Sequence, residues 1–273
     1  APFSLPAEAF SFRPPSDAVV YCFKNGDKER KIYCNCEMTE LELEQLKKLQ
    51  DEIKRRGVTF MPSIAAMATR FLSRARGDTA KAIKLMQATQ SWRQEFFTKP
   101  VTDEAVKEDM KHGIVYFCGR DFAMRPTIVV RAIRIPQQWY KDKRIDKLIN
   151  VLIFSMEYMI RYMIVPGSIE NNCLIIDLKG LTISQVPLGA LTEVYKVMSH
   201  HYIGRVFKFY ICNLSMGLST MAGMAKALLT DRQKQKLVFL DNVKELRKEF
   251  ALHQLEEDLG GSRPVITEFF PFR

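Results

Sequence analysis

Residues 207–229 have the sequence FKFYICNLSMGLSTMAGMAKALL, from which the class of fold follows. The stretch begins as an apolar strand, passes through a loop of serine and glycine, and continues into a helix with apolar residues at helical spacing. We predict a strand at 206–213 and a helix at 219–229. A strand that leads directly into a helix is the repeating unit of folds built on a parallel sheet.

The same alternation continues on both sides of this stretch. Upstream, the predicted elements are strands at 114–118, 127–133 and 173–178 and helices at 145–164 and 188–200. Downstream, they are a short strand at 236–240 and a helix at 243–250. The sequence therefore predicts an α/β fold with a mixed, mostly parallel sheet flanked by helices.

Three amphipathic helices are predicted between residues 38 and 100. Thr39 and Glu42 have the spacing of a capping box at the start of the first helix. Ser63 is expected to cap the second helix and Asp78 the third. Short amphipathic helices in succession indicate a small helical lobe that precedes the sheet.

The first 37 residues differ from the rest of the chain. Ala18–Phe23 and Lys31–Cys36 flank Asn25-Gly26, a pair typical of tight turns, so a β-hairpin is predicted. The chain is thus divided into an extension at 1–37, a helical lobe at 38–100 and an α/β domain at 101–273. The hairpin can pair with a sheet edge of this chain or of another protein, and in the second case a protein partner binds through residues 1–37.

The charge of the chain favours anionic partners. It has 41 basic and 31 acidic side chains, for a formal net charge of +10. Phospholipid headgroups and nucleic acid both carry negative charge, but no nucleic-acid motif accompanies the scattered basic residues, so nucleic acid is not expected. The longest uncharged stretch, Phe209–Ala225, is shorter than the ~20 residues of a spanning helix. We expect a soluble, cytoplasmic protein.

Sequence templates for catalysis and for cofactors are missing. The chain has no GxxxxGK[ST], GxGxxG, GxSxG or HExxH pattern and no CxxC pair. The six cysteines are expected to be buried apolar residues in a reducing compartment. His200-His201 is expected to interact with a helix dipole, and Asp177, alone at the end of a strand, is weak support for an active site. No enzymatic activity, cofactor or metal is therefore expected.

The helix at 219–229 has an adaptable apolar stripe. Met221 and Met224 are soft side chains, and Ala225 beside them allows close approach or motion. One interpretation is a helix that packs in the core. The other is a movable lid over an apolar cavity, which meets a membrane when it opens.

Six short segments occur in a recognisable order along the chain. They are RFLSRARGD at 70–78 with Trp92-Arg93 downstream, GRD at 119–121 with RPTIV at 125–129, IIDLKG at 175–180, YIGRVFKFYICN at 202–213, LST at 218–220 with AKALL at 225–229, and LEEDLGG at 255–261. In this order they resemble the motifs of the CRAL-TRIO lipid-binding family, the fold of phosphatidylinositol and phosphatidylcholine transfer proteins. The resemblance covers about residues 38–262.

The resemblance implies non-catalytic lipid binding or transfer. A phospholipid or other hydrophobic ligand would lie in an apolar pocket floored by the sheet and closed by a gate helix. The gate would open at an anionic membrane surface, to which the protein would bind peripherally. The residues implied as ligand-binding are Ile176, Tyr202, Phe209, Ile211, Leu218, Met221, Met224, Ala225 and Lys226, together with Arg74 of the helical lobe.

Departures from the family pattern concern the lipid headgroup. In members that bind phosphoinositides, a Glu and a Lys help to hold the inositol phosphate. Lys226 matches that Lys, but Gly204 stands at the position of the Glu and Ile203 replaces the preceding Pro. Ser73 stands where the first Arg of the FLRAR motif is expected, with Arg74 one position later. The headgroup set for phosphatidylinositol is incomplete.

Other functions stay open on the sequence. A protein-interaction or structural module on the same fold, which has lost ligand binding, is the principal alternative, because one fold hosts unrelated functions. An enzyme would require titratable groups that converge near Asp177.

Overall fold

The computed structural model describes residues 5–23, 26–182, 188–227 and 231–270. In the helices at 188–191, 221, 224–227 and 231–232, the backbone alone is described.

The N-terminal extension contains two short helices and a hairpin. They are α1 (Ala7–Ser11), α2 (Ser16–Val19), β1 (Val20–Cys22) and β2 (Lys28–Arg30), and the two strands are antiparallel. The second strand ends before the predicted Lys31–Cys36, because the backbone N–H groups of Tyr33 and Cys34 donate to the carboxylate of Glu170 instead. Lys24 and Asn25 of the predicted turn lie outside the described residues.

Four helices follow, between residues 40 and 96. They are α3 (Glu40–Arg55), α4 (Pro62–Ala65), α5 (Ala68–Ala75) and α6 (Thr79–Phe96). The capping box of Thr39 and Glu42 is confirmed, and so is the cap at Asp78, whose side chain accepts from the Lys81 N–H at 2.9 Å. The cap predicted at Ser63 is wrong, because Pro62 occupies the first turn and Met61 precedes it as the cap residue.

These helices enclose their own apolar core. Leu49 of α3, Phe71 of α5 and Ile83 of α6 are at most 1% exposed, and Ile203, far along the chain, packs into the same cluster. The lobe is therefore closed by a residue from the part of the chain that forms the sheet. The boundaries proposed at residues 37 and 100 stay predictions.

Helices and strands alternate through the rest of the chain. In order they are α7 (Asp103–Met110), β3 (Val115–Arg120), β4 (Pro126–Arg131), α8 (Gln137–Lys141), α9 (Ile145–Tyr162), β5 (Asn172–Asp177), α10 (Leu188–His201), β6 (Val206–Cys212), α11 (Met216–Ala227), α12 (Asp231–Lys236) and β7 (Leu237–Phe239). The prediction missed α7, α8 and α12. Among the described residues, no helix combines the length and apolarity needed to cross a bilayer.

The five strands β3 to β7 lie side by side in the order of the chain. β3 and β4 are antiparallel, whereas β4, β5, β6 and β7 are parallel to their neighbours. The predicted mixed, mostly parallel sheet flanked by helices is confirmed.

The two faces of the sheet are covered differently. On the helix-covered face, Met156 and Met159 of α9 pack with Phe117 and Ile128 of the strands, and α10 contributes Met198 to the same cluster. The opposite face is covered by the C-terminal segment 243–259, whose buried residues include Leu246, Phe250, Leu255 and Leu259. The helix predicted at 243–250 is a 3-10 helix over Val243–Lys248.

The six cysteines differ in burial. Cys118, Cys173 and Cys212 are buried on the opposite face, as expected for apolar residues. Cys22 and Cys34 are exposed and Cys36 is partly exposed, so for these three the expectation of burial is wrong. They lie in the N-terminal extension, where a thin hairpin segment offers little interior to cover them.

Arg131 fixes the C-terminal segment to the sheet. Its guanidinium is buried and contacts Asp177 at 2.6 Å, Glu256 at 2.9 Å and Asp258 at 2.9 Å. Its Nε donates to the hydroxyl of Tyr116, which donates in turn to Glu256 at 2.7 Å. Charged hydrogen bonds of this kind are strong, but they depend on every partner being present.

Arg131→Ala is expected to destabilise the fold by about 3–5 kcal/mol, because it leaves the buried carboxylates of Asp177 and Glu256 without their cation. Urea unfolding at neutral pH measures the change. The matched variant Arg144→Ala removes an exposed pair with Asp146 and is expected to leave the midpoint unchanged. Equal stabilities of the two variants would show that the Arg131 network contributes nothing.

Candidate functional site

Six apolar side chains form a continuous patch on the helix-covered face. Strand register aligns Val130, Ile176, Ile211 and Phe239 in one row across β4, β5, β6 and β7. Phe209 and Leu237 are paired in the next row. We call these six side chains the apolar floor.

The apolar floor is partly exposed, which is unusual for the middle of a sheet. All six of its side chains keep part of their surface accessible, although β5 and β6 are internal strands. By contrast, Ile175 and Tyr210, on the opposite face of the same strands, are at most 2% exposed. A contiguous accessible apolar patch marks a surface for an apolar ligand or partner.

Three predicted site residues meet in this floor. Ile176 and Ile211 are direct register partners, and Phe209 precedes Ile211 by two positions on the same face. The resemblance to the family, and not a periodic pattern, is the sequence signal that identified them.

The predicted residues of α11 are only partly described. Leu218 is 1% exposed, so the first turn of the helix is packed down, whereas Met216 beside it is 88% exposed. The side chains of Met221, Met224, Ala225 and Lys226 lie outside the described residues, although the helix backbone extends through Ala227.

Tyr202 and Arg74, two further predicted site residues, differ in burial. Tyr202 is 3% exposed, belongs to the core beneath α6, and donates its hydroxyl to Glu157 at 2.8 Å. Arg74 is on the exposed side of α5, a helix that packs against α3 and α6. The assignment of these two residues to the ligand site stays a prediction.

Asp177 is fully committed to structure. One carboxylate oxygen accepts from Arg131, and the other accepts from Asn213 at 2.8 Å and from the backbone of Lys179 at 3.0 Å. These contacts pair the carboxylate with a buried cation and hold it in place, as in a structural ion pair. The described residues also contain no group of three side chains suited to a metal ion.

A second buried network, missed from the sequence, joins the lobe to the sheet. Arg70 of α5 is 3% exposed and forms an ion pair with Glu170, which is 1% exposed and precedes β5. Arg70 also donates to the backbone carbonyl of Gly204 at 3.3 Å and lies over the ring of Tyr33 at 4.3 Å. Arg70 lies in a quoted motif, but no sequence pattern connects it with Glu170, 100 residues later.

The interface also contains His201, at the end of α10. Its ring stacks on Trp92 of α6 with centroids 4.2 Å apart, and Nδ1 lies 3.2 Å from the hydroxyl of Thr89. Burial, with smaller contributions from His200 and Arg93, lowers the pKa of His201 to about 4. The ring is therefore neutral at pH 7, and for His201 the predicted charge–dipole role is wrong.

The sheet order, the helices on one face and the open floor define an α/β domain with one partly uncovered apolar face, to which a helical lobe is attached. A family model for the CRAL/TRIO domain matches residues 110–261, more than half of the chain. The chain therefore belongs to the CRAL/TRIO family, the lipid-binding and lipid-transfer family that its motifs resemble.

Curated relatives and a solved structure agree with this assignment. The chain is 27% identical over 213 residues to the SEC14 cytosolic factor of Kluyveromyces lactis, which covers 72% of this chain and 70% of that protein. It is 26% identical over 242 residues to the SEC14 cytosolic factor of Eremothecium gossypii, at 83% and 77% coverage. The crystal structure of Sfh5 matches with a TM-score of 0.64 over 87% of this chain and 94% of that one; at 12% identity it shows the fold alone.

Protonation of His201 is expected to weaken the interface between lobe and sheet. The folded-state pKa of about 4 is below the unfolded value of roughly 6.5, so the stabilising effect of the neutral ring is complete above pH 6.5 and is lost as the pH falls toward 4. Urea unfolding at about pH 7 and about pH 5 should show a smaller loss of stability for His201→Gln than for the wild type. The exposed His253, changed to Gln, should behave as the wild type. Identical pH dependence in all three proteins would contradict the expectation.

Proposed function

We propose that this protein binds a phospholipid without catalysis and transfers it between membranes. The observation that carries the proposal is the apolar floor, a partly exposed row of aliphatic and aromatic side chains across the interior of a sheet. The commitment of Asp177 to Arg131 and Asn213 favours a binding protein over an enzyme.

Acyl chains suit the floor by shape and by energy. A row across four strands spaced about 4.8 Å apart is roughly 14 Å long, enough to contact many methylenes of one chain. Each methylene moved from water into apolar surroundings contributes about 0.8 kcal/mol. Contact along one tail therefore supplies affinity without any specific polar group.

α11 is the proposed gate. It follows β6, whose Phe209 and Ile211 belong to the floor, and its first turn is fixed by Leu218 while Met216 extends into solvent. A helix anchored at one end and rich in methionine and small residues is suited to move as a lid. At a membrane, exposed Met216 would contact the acyl boundary, and the net charge of +10 favours an anionic leaflet. The proposed location is the cytoplasm, with peripheral binding at membranes; the relatives' name, cytosolic factor, supports the first part.

Headgroup recognition is proposed to depend on Lys226 without a glutamate partner. Gly204, at the position of the family's Glu, has φ +69°, and a Cβ built there would lie 3.0 Å from Nη1 of Arg70. That position is thus part of the interface with the lobe. Lys226 is expected to attract a lipid phosphate as a point charge.

The alternative is a protein-interaction module that binds no lipid. The described part of the extension is packed on its own chain, with Ala9, Phe23 and Ile32 at most 4% exposed. Binding of a partner through residues 1–37 stays a prediction. Native mass spectrometry of the purified protein separates the two functions, because a carrier retains a lipid and the module does not.

Ile211→Trp is expected to reduce lipid transfer by roughly tenfold or more, since an indole on the floor displaces two or three methylenes at about 0.8 kcal/mol each. Transfer of labelled phosphatidylcholine between vesicles measures the rate. Val265→Trp is the control, because Val265 is 37% exposed in the C-terminal segment. Undiminished transfer by a folded Ile211→Trp protein would remove the floor from the proposed site.

Lys226→Ala is expected to weaken binding of phosphatidylinositol several-fold and to leave phosphatidylcholine binding almost unchanged, because the zwitterionic headgroup has no net charge to pair with the ammonium group. Competition between vesicles of the two compositions gives the ratio. Lys226→Arg preserves the charge and should retain the preference. An unchanged ratio in Lys226→Ala would exclude Lys226 from the site.

A further inference from the structure

Strand β2 lies between two helices that belong to different parts of the fold. Adjacent residues of a strand point to opposite faces, and Glu29 and Arg30 do so here. Arg30 faces α3 of the lobe, while Glu29 faces α12, the helix immediately before β7. One short strand thus contacts both.

The contact with the lobe is a paired, buried interaction. Nε and Nη2 of Arg30 donate to the two carboxylate oxygens of Glu42, each at 2.6 Å. The side chain of Arg30 is 5% exposed and that of Glu42 is 28% exposed. This two-pronged geometry fixes orientation as well as distance.

The contact with α12 is also shielded from water. Nζ of Lys236, the last residue of α12, lies 2.9 Å from Glu29, whose side chain is 11% exposed, and Lys31 approaches the same carboxylate at 2.9 Å. Burial disfavours ionisation of Glu29, but the charges of Lys236 and Lys31 outweigh it, and its pKa is lowered. An ion pair this sheltered is stronger than an exposed one.

The end of the strand is fixed to the sheet domain. Three residues after Arg30, the N–H groups of Tyr33 and Cys34 donate to Glu170, which itself pairs with Arg70 of the lobe. β2 therefore cannot shift along its axis without breaking buried polar contacts. It is held as a rigid link.

The position of α12 affects the apolar floor, because α12 leads directly into β7. α12 packs against β6 and β7, and it is followed at once by Leu237 and Phe239, two of the six floor side chains. Movement of α12 therefore changes how the β7 edge of the floor is covered.

We propose that β2 is a strap that couples the helical lobe to α12 through Arg30–Glu42 on one side and Glu29–Lys236 on the other. The strap holds the β7 edge of the floor closed, and release of either pair loosens it. The mechanical coupling between lobe and α12 goes beyond the proposed function. Its consequence, slower lipid exchange while both ion pairs are intact, rests on that function.

Hydrogen exchange of the full chain, followed by mass spectrometry without added lipid, tests the coupling directly. Glu29→Gln retains the shape of the side chain and removes the charge. Exchange in peptides from 231–239 is expected to accelerate roughly three- to tenfold, as for loss of one coupled ion pair, with β5 peptides unchanged as the measure of correct folding. The control Glu44→Gln removes the exposed pair with Lys48 and should leave 231–239 as in the wild type. Exchange in Glu29→Gln equal to that control would overturn the proposal.

Two further variants separate a strap from a local contact. Lys236→Gln combined with Glu29→Gln should exchange no faster than Glu29→Gln alone, because Glu29→Gln already removes the pair with Lys236. Arg30→Gln, which acts on the lobe side, should also accelerate exchange at 231–239. If Arg30→Gln loosens only β2 and α3, or if the first two variants are additive, lobe and α12 are not coupled. Since no lipid is present, these results are independent of whether the protein carries one.

Discussion

Right-handed crossovers between parallel strands that follow one another in chain order place every connecting helix on the same face of the sheet. β4 to β7 satisfy this condition, and the residues of α9 and α10 pack on one face accordingly. The connecting helices leave the opposite face of the sheet without a cover, and the C-terminal 3-10 segment covers that face. A segment of 3-10 turns has few ladder hydrogen bonds of its own, so its position depends on side chains. The buried network around Arg131 meets that requirement, which explains why three carboxylates converge on one guanidinium.

The helices cover their face of the sheet unevenly because they differ in length and in apolar content. α9 is eighteen residues long and strongly apolar, and it buries Phe117 and Ile128 completely. α11 follows β6, and α12 precedes β7. Both helices are shorter than α9, and α12 consists of polar residues. The floor is the part of this face that stays partly exposed. An open apolar face in water promotes association and is tolerated when a ligand or a cover removes it from solvent. The proposed gate would cover this surface, and the proposed strap would hold α12 beside its β7 edge.

The spacing of apolar residues predicted most of the helices and strands, and the wrong predictions have physical causes. Apolar runs located β3 to β7 to within a few residues. Ile176, Phe209 and Ile211 were assigned to the ligand site by resemblance to the family, and strand register brings them together. Tyr202 and Arg74 were assigned by the same resemblance, and their role in ligand binding stays a prediction. The cap predicted at Ser63 was wrong because the helix already begins at Pro62. The helix α12 was missed because its sequence, DRQKQK, has no periodic apolar residues. The pairs Arg70–Glu170 and Glu29–Lys236 span 100 and 207 positions, and no local pattern encodes such partners.

The departures from the family pattern have a structural use in this chain. Ile203, in place of the motif's proline, packs into the core of the lobe at 9% exposure. Gly204, in place of the glutamate, presents its carbonyl to Arg70 in a left-handed conformation that a side chain would strain. A glutamate at 204 would compete with Glu170 for Arg70, so the same position cannot serve both the headgroup and this interface. In this chain the segment before β6 thus contributes to the contact between lobe and sheet through Ile203 and Gly204. Selection of the proposed lipid then falls on the apolar floor and on Lys226, which favours a ligand defined by its acyl chains and its phosphate over one defined by an inositol ring.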